Sequence, residues 1–240
     1  MLQVLQFPVL NDNYIFVLRN DEADRTAVID PAVAEVVLDK LTEYNWKLDY
    51  IVNTHHHWDH TGGNAELKKN TNAKIIAYKG YSHRIENIDI AVADGDKIEI
   101  CGEEAEVIFV PGHTLGHIAY YFEKSGMLFC GDTIFAMGCG RLFEGSPQQM
   151  FDSLQKLAAL PPETKVYCAH EYTLANAKFA ITIEPDNEAL QASLKKVEDM
   201  RAKGEFTVPT TIEEELATNP FLRAKNADDF AKIRKAKDSF

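Results

Sequence analysis

Four histidines and an aspartate fall within six consecutive positions of this chain, in the run Thr54-His55-His56-His57-Trp58-Asp59-His60. An isolated histidine is ordinarily a surface or hydrogen-bonded core residue, but half of the chain's eight histidines packed beside an acid need a different account. In an extended segment side chains alternate, so His55 and His57 point one way and His56 the other. A helix beginning near Trp58 would project Asp59 and His60 from its first turn, and Gly62 and Gly63 would let the backbone stay close to a crowded site. The run therefore predicts metal, with room for two ions.

Three later positions strengthen that expectation. Pro111-Gly112-His113-Thr114 follows the apolar strand predicted at 107–110, Gly131-Asp132-Thr133 follows the one at 127–130, and Ala169-His170-Glu171 follows the one at 165–168. Each candidate ligand sits at a strand end, where rigid scaffolds carry polar sites. Further strands are expected at 2–7, 14–18, 26–29, 50–53, 74–77, 97–100, 105–110 and 119–122. Val33, Val36, Val37 and Leu41 recur at helical spacing and predict a helix over 32–44. Another is expected near 64–69, and Ser146-Pro147 opens one that carries Met150, Phe151, Leu154 and Leu157. From Thr173 onward the pattern is helical and more charged, with helices at 189–203 and 228–237 and breaks at Pro209 and Thr218-Asn219-Pro220. The fold class is α/β: two sheets packed together with helices outside, an αββα sandwich, followed by a C-terminal helical domain. The boundary is placed between residues 1–172 and 173–240.

Composition narrows the partners. Lys plus Arg number 25 against 37 Asp plus Glu, a formal charge of −12, which argues against a nucleic-acid partner bound across a broad basic face. No apolar stretch is long enough to span a bilayer, and the first residues lack the features of a signal peptide. A cytoplasmic monomer acting on a small molecule is expected. Cys101, Cys130, Cys139 and Cys168 form no Cys-x-x-Cys pair and are expected as buried free thiols.

In order and in local sequence these motifs resemble the metallo-β-lactamase superfamily. Thr-His-His-His-Trp-Asp-His, Pro-Gly-His-Thr, Gly-Asp-Thr and the Cys-Ala-His-Glu-Tyr-Thr run at 168–173 are similar, within it, to glyoxalase II, the hydroxyacylglutathione hydrolases. The resemblance runs from Asn11-Asp12-Asn13-Tyr14 to Lys237-Asp238-Ser239-Phe240. It implies that one metal takes His55, His57 and His113, the other Asp59, His60 and His170, and that Asp132 bridges them. Imidazole and carboxylate ligands without thiolate suit two divalent ions, zinc by default, while iron and manganese fit the same donors.

The implied reaction is hydrolysis of S-(2-hydroxyacyl)glutathione thioesters, chiefly S-D-lactoylglutathione, to glutathione and D-lactate, the second step of methylglyoxal detoxification. A hydroxide bridging the metals is expected to attack the thioester carbonyl, with Asp59 and Asp132 as the catalytic carboxylates. The resemblance also implies glutathione contacts at Arg141, Phe143, Tyr172, Arg234 and Lys237. Arg234 and Lys237 are spaced i, i+3 on one helix face. Many family members have Lys and Tyr where this chain has Arg141 and Phe143, which exchanges a point charge for a planar fork and removes a hydroxyl. His56 and His117 are expected to support ligands, and His83 to lie on the surface. The competing reading is another activity of the same fold, such as a persulfide dioxygenase using one iron or a thioesterase for a different acyl carrier.

Overall fold

Every residue of the strand Asn13–Asn20 is buried, so this segment must be covered on both faces. Its odd positions Ile15 and Val17 join Val28, Val37, Leu41, Ile51, Leu67 and Ile75 in one apolar cluster. In the computed structural model, which describes residues 2–240, the chain divides into two compact units. The first runs up to Phe109 and takes in Ile118–Ser125; the second comprises Val110–His117 and Gly126–Phe240.

The first unit is built on a six-stranded sheet in sequence order: β1 (Gln3–Val9), β2 (Asn13–Asn20), β3 (Arg25–Ile29), β4 (Tyr50–Val52), β5 (Lys74–Tyr78) and β6 (Ile88–Val92). The first three pair antiparallel. From β3 onward the pairing is parallel, which requires crossovers. Helices α1 (Glu35–Tyr44) and α3 (Asn64–Thr71) supply two of them and bury Val37, Leu41 and Leu67 in the cluster. The short helix α2 (Trp58–Thr61) lies between β4 and α3. Strands β7 (Lys97–Ile100), β8 (Glu103–Phe109) and β9 (Ile118–Phe122) form an antiparallel meander.

In the second unit β10 (Met127–Gly131) runs parallel to β13 (Lys165–Cys168), and β14 (Thr210–Thr211) pairs antiparallel with β13. A two-residue ribbon, β11 (Ile134–Phe135) with β12 (Gly138–Cys139), follows β10. Five helices complete it: α4 (Pro147–Ala158), α5 (Thr173–Ile183), α6 (Glu188–Ala202), α7 (Ile212–Thr218) and α8 (Ala227–Asp238). The Ser146 cap of α4 is reciprocal: its side chain accepts from the Gln149 N–H, and the Gln149 side chain accepts from the Ser146 N–H.

The sequence reading placed the longer elements, started one helix too early and missed several short ones. Helix α1 starts at Glu35 rather than at 32, because Asp30 adopts φ 48° and the following residues make the turn. Strand β6 was not expected, although Ile88, Ile90 and Val92 alternate along it. Helix α7 lies between the breaks read at Pro209 and Thr218-Asn219-Pro220, opened by a Thr211–Glu214 capping box. All four cysteines are buried free thiols, and burial pushes Cys101 and Cys168 up to about 12.

Candidate metal centre

Two clusters of candidate ligands emerge, one in each unit. In the first, β4 ends at Val52, the chain bends at Thr54 and His55, and α2 begins at Trp58 with His57, itself extended, as its cap residue. His55 Nε2 and His57 Nδ1 face each other at 3.0 Å. His56 turns away, its ring meeting Tyr81 edge-on at 4.8 Å and its Nε2 lying 2.6 Å from the Arg84 guanidinium. In the first turn of α2, Asp59 Oδ2 lies 3.5 Å from His60 Nε2. Asn13 holds that carboxylate, donating to Asp59 Oδ2 at 3.0 Å and to the Asp59 carbonyl at 3.2 Å.

Beneath this run lies a residue that sequence reasoning passed over. Asp30, 3% exposed at the end of β3, accepts from the Thr54 N–H and hydroxyl at 2.8 and 2.6 Å. Its Oδ2 also faces His60 Nδ1 at 3.0 Å. The Thr54 hydroxyl oxygen in turn sits 3.1 Å from His55 Nδ1. A hydroxyl that donates to Asp30 must accept from the imidazole, so one buried carboxylate fixes both rings with Nδ1 protonated and Nε2 left for a metal. Such outer partners are what set a ligand's tautomer and basicity. Asp30, His55 and His60 also group as potential metal donors, with ligand atoms within 4.8 Å of one another. The carboxylate's commitments to Thr54 and His60 make support its natural part. Its sequence signal was the same as that of Asp132, an acid directly after an apolar strand.

In the second unit the ligand candidates come from three separate strand ends. Asp132, 6% exposed, points one carboxylate oxygen at each of two imidazoles: Oδ2 at His113 Nε2, 3.4 Å away, and Oδ1 at His170 Nε2, 3.3 Å away. His113 Nδ1 donates to the Arg141 carbonyl at 2.9 Å. The His170 ring stacks on Tyr172 at 4.7 Å and 2°. Fully buried His117 accepts from the Asp132 N–H through Nε2 at 3.1 Å, and its Nδ1 lies 3.3 Å from the Thr133 hydroxyl. Gly140 is required by this crowding. A Cβ there would stand 2.0 Å from the Asp132 carbonyl and 3.0 Å from His113 Nδ1.

These donors fit divalent metal. Imidazole nitrogens whose opposite ring atoms are anchored, together with a carboxylate offering its two oxygens to different imidazoles, form a borderline oxygen and nitrogen set of the kind zinc, iron and manganese accept. The same carboxylate geometry suits a bridge between two ions.

The residues implied for glutathione lie in the second unit and differ in access. Arg141 and Phe143 are exposed, with side-chain exposure of 65% for Arg141. The Phe143 ring meets His113 edge-on at 5.2 Å. Tyr172 and Lys237 are half-buried. Burial, then the Arg234 and Arg141 charges, pull Lys237 below its ordinary value. Arg234 is buried instead, donating to the Cys139 carbonyl at 2.9 Å and to Asp238, with its guanidinium over the Phe221 ring. His83 is exposed, as expected.

Known proteins account for the whole chain. Residues 9–170 match the metallo-beta-lactamase superfamily, and residues 171–240 match the family described as the hydroxyacylglutathione hydrolase C-terminus. A hydroxyacylglutathione hydrolase of Methylococcus capsulatus is 50% identical over 254 residues, covering 100% of this chain and 99% of its own. One from Rhodospirillum rubrum is 53% identical over 227 residues, covering 95% and 89%. Among solved structures, ETHE1 from Myxococcus xanthus superposes with a TM-score of 0.74 at 25% identity, over 98% of this chain and 90% of that one. The fold is that of the metallo-β-lactamases, with a C-terminal helical region.

Proposed function

The chain belongs to the hydroxyacylglutathione hydrolases of the metallo-β-lactamase superfamily, and from that membership we propose that it hydrolyses S-(2-hydroxyacyl)glutathione thioesters. S-D-lactoylglutathione is the chief substrate, and glutathione and D-lactate are the products. The observation that carries this reading is likeness at about half identity over essentially the full length, including the C-terminal segment that the hydrolase family matches.

The ligand assignment follows the family resemblance: His55, His57 and His113 on one metal, Asp59, His60 and His170 on the other, and Asp132 shared. The opposed oxygens of Asp132 support the last part. Zinc is the proposed ion, with iron or manganese compatible with the same donors. Metal held by these residues supplies a Lewis acid for the thioester carbonyl and a water acidified to a pKa of about 7.

The chain's own residues then do the remaining work. Asp30 and Thr54 hold two imidazoles in the tautomer that ligates. Asp59, partly open to solvent and steadied by Asn13, is the proton acceptor at the reacting water. No strong general acid is needed for the leaving group, because a thiol of pKa about 8.5 departs as thiolate near neutral pH. We assign glutathione to Arg141, Phe143, Tyr172, Arg234 and Lys237, with Arg141 and Lys237 presenting charge to the tripeptide's carboxylates and Arg234 acting from behind them. The functional division is a catalytic part at 1–172 and a helical substrate-binding part at 173–240. The proposed setting is a monomer in the cytoplasm. Among the described residues no helix is long and apolar enough to cross a membrane.

The deciding experiment compares hydrolysis of S-D-lactoylglutathione with that of a thioester of another carrier, measuring metal content on the same sample. Activity confined to glutathione thioesters with two metals per chain is expected. One iron per chain with oxygen consumption on glutathione persulfide would replace this reading with a dioxygenase.

A further inference from the structure

Between the proposed bridging ligand Asp132 and the proposed substrate contact Arg141 lies the β11–β12 ribbon, and buried side chains from the helical region hold its backbone at every residue from 135 to 139. Asn176 of α5 donates to the Ala136 carbonyl at 3.2 Å. Glu215 of α7 accepts from the Met137 N–H at 2.9 Å. Asn219, just after α7, donates to the Gly138 carbonyl at 2.9 Å and, more weakly, to the Phe135 carbonyl at 3.2 Å. Arg234 of α8 donates to the Cys139 carbonyl at 2.9 Å. The four side chains are each at most 5% exposed. Glu215 and Asn219 are also bonded to each other, at 2.8 Å, through the same carboxylate oxygen that receives Met137.

A tight ribbon of two-residue strands has almost no ladder of its own to fix its shape. At its turn Met137 is buried with φ 54°, a left-handed conformation that disfavours a residue with a long side chain. Something outside the ribbon must hold it there. The consequences reach the metal ligands at three points. The Phe135 ring packs edge-on against His170 at 5.8 Å and against Tyr172 at 5.2 Å. Gly140 closes directly over the Asp132 carbonyl and His113. The Arg141 carbonyl anchors His113 Nδ1.

We propose that Glu215 and Asn219 are positioning residues for hydrolysis, acting through the Ile134–Arg141 segment to hold Asp132, His113 and His170 in ligating geometry and Arg141 in place for substrate. The roles given to those four residues rest on the proposed function; the grip itself does not. A buried carboxylate is costly unless its hydrogen bonds are satisfied. Spending one on a backbone N–H makes sense where the exact course of that backbone matters.

The test uses the metal-loaded full chain and the variants Asn219→Ala, Glu215→Ala and Glu215→Gln. Three measurements apply: kcat/KM on S-D-lactoylglutathione, the chelator concentration that strips half the metal, and hydrogen exchange of the 134–141 amides. Loss of outer support typically costs about 10–100-fold in metal affinity or activity. Both alanine variants are therefore expected to lose at least about tenfold in kcat/KM, to release metal at lower chelator, and to exchange faster in that segment. Glu215→Gln keeps an accepting oxygen for Met137 and Asn219, and is expected to restore most of all three. Folded alanine variants with wild-type turnover, metal retention and exchange would overturn the proposal. If either alanine variant fails to fold, Asn219→Ser and Asn176→Ser are judged on the same three readouts. Should the wild-type protein leave lactoylglutathione intact, the functional reading falls, while metal release and exchange still decide whether the grip positions the ligands.

Discussion

The two ligand clusters, one in each unit, are built by opposite strategies. The first unit gathers four candidate ligands within six residues and supports two of them from one buried acid, Asp30, through bonds to Thr54 and His60. The second unit draws single ligands from three strand ends, His113, Asp132 and His170, and supports them through separate contacts from His117, the Arg141 carbonyl and Tyr172. A contiguous run shares one support, so damage to that support reaches several ligands. A dispersed set localises damage, except at the residue its members share, Asp132.

The largest effect should come from that shared residue. Asp132→Ala is expected to remove the carboxylate facing both imidazoles and to lower kcat by on the order of a thousandfold or more, because metal assistance is worth several kcal/mol. Near-normal turnover and metal content would refute the bridging assignment. Next comes Asp30→Ala, which frees both His55 and His60 to take the wrong tautomer and should cost on the order of 10–100-fold in metal affinity or activity. A His117→Ala variant should cost less, since that ring bonds the Asp132 backbone N–H, whereas Asp30 bonds a ligand side chain directly, at His60. Chelator titration of the two variants side by side sharpens the contrast; equal losses would break it.

A third expectation concerns the helical side of the second unit. Burial raises Glu215 from the ordinary glutamate range to about 7, against the pull of its bonds to Asn219 and Met137. Asn219, Met137 and Thr210 bond to it, and Glu214, Cys130 and Cys168 are its charged or ionisable neighbours. A folded-state pKa above the unfolded one means the folded protein holds the proton longer. The stability it confers is therefore present below the ordinary range and is lost as pH rises through about 7. Thermal melts should accordingly show wild type weakening relative to Glu215→Gln between roughly pH 5 and 8. Parallel curves would contradict this.

The smallest effect should be that of Phe143→Tyr. The ring is exposed, so a hydroxyl fits without repacking, and one added hydrogen bond to glutathione is worth about 0.5–1.5 kcal/mol. KM should fall by roughly 2–10-fold with kcat steady. An unchanged KM would remove Phe143 from the glutathione-binding set.

The elements legible in the chain were those with strong local signals. The opposite facing expected of His56 holds, toward Tyr81 and Arg84, although the chain bends at Thr54 and His55 instead of running straight. The Ser146 cap and the apolar stripe of α4 read directly as a helix. Helix α7 escaped because it is seven residues between breakers, whereas the Ile88, Ile90, Val92 alternation of β6 was legible and was passed over. Arg234 shows the limit more sharply. The family resemblance implied a glutathione contact there, and its guanidinium is buried against Cys139 and Phe221. Spacing reveals which helix face a residue occupies, not what covers that face.

By itself the sequence determined the donor inventory, the reaction chemistry those donors can support and, through its motifs, the family. These are properties of residue identity and short-range geometry. Tertiary structure alone decided which residues stand behind the donors: Asp30 under the histidine run, and Asn176, Glu215, Asn219 and Arg234 around the Phe135–Cys139 backbone. An aspartate beyond a strand or an asparagine in a loop carries no local mark of the buried hydrogen bond it will make. Its partner lies up to 84 residues away in the chain, and only folding brings the two together.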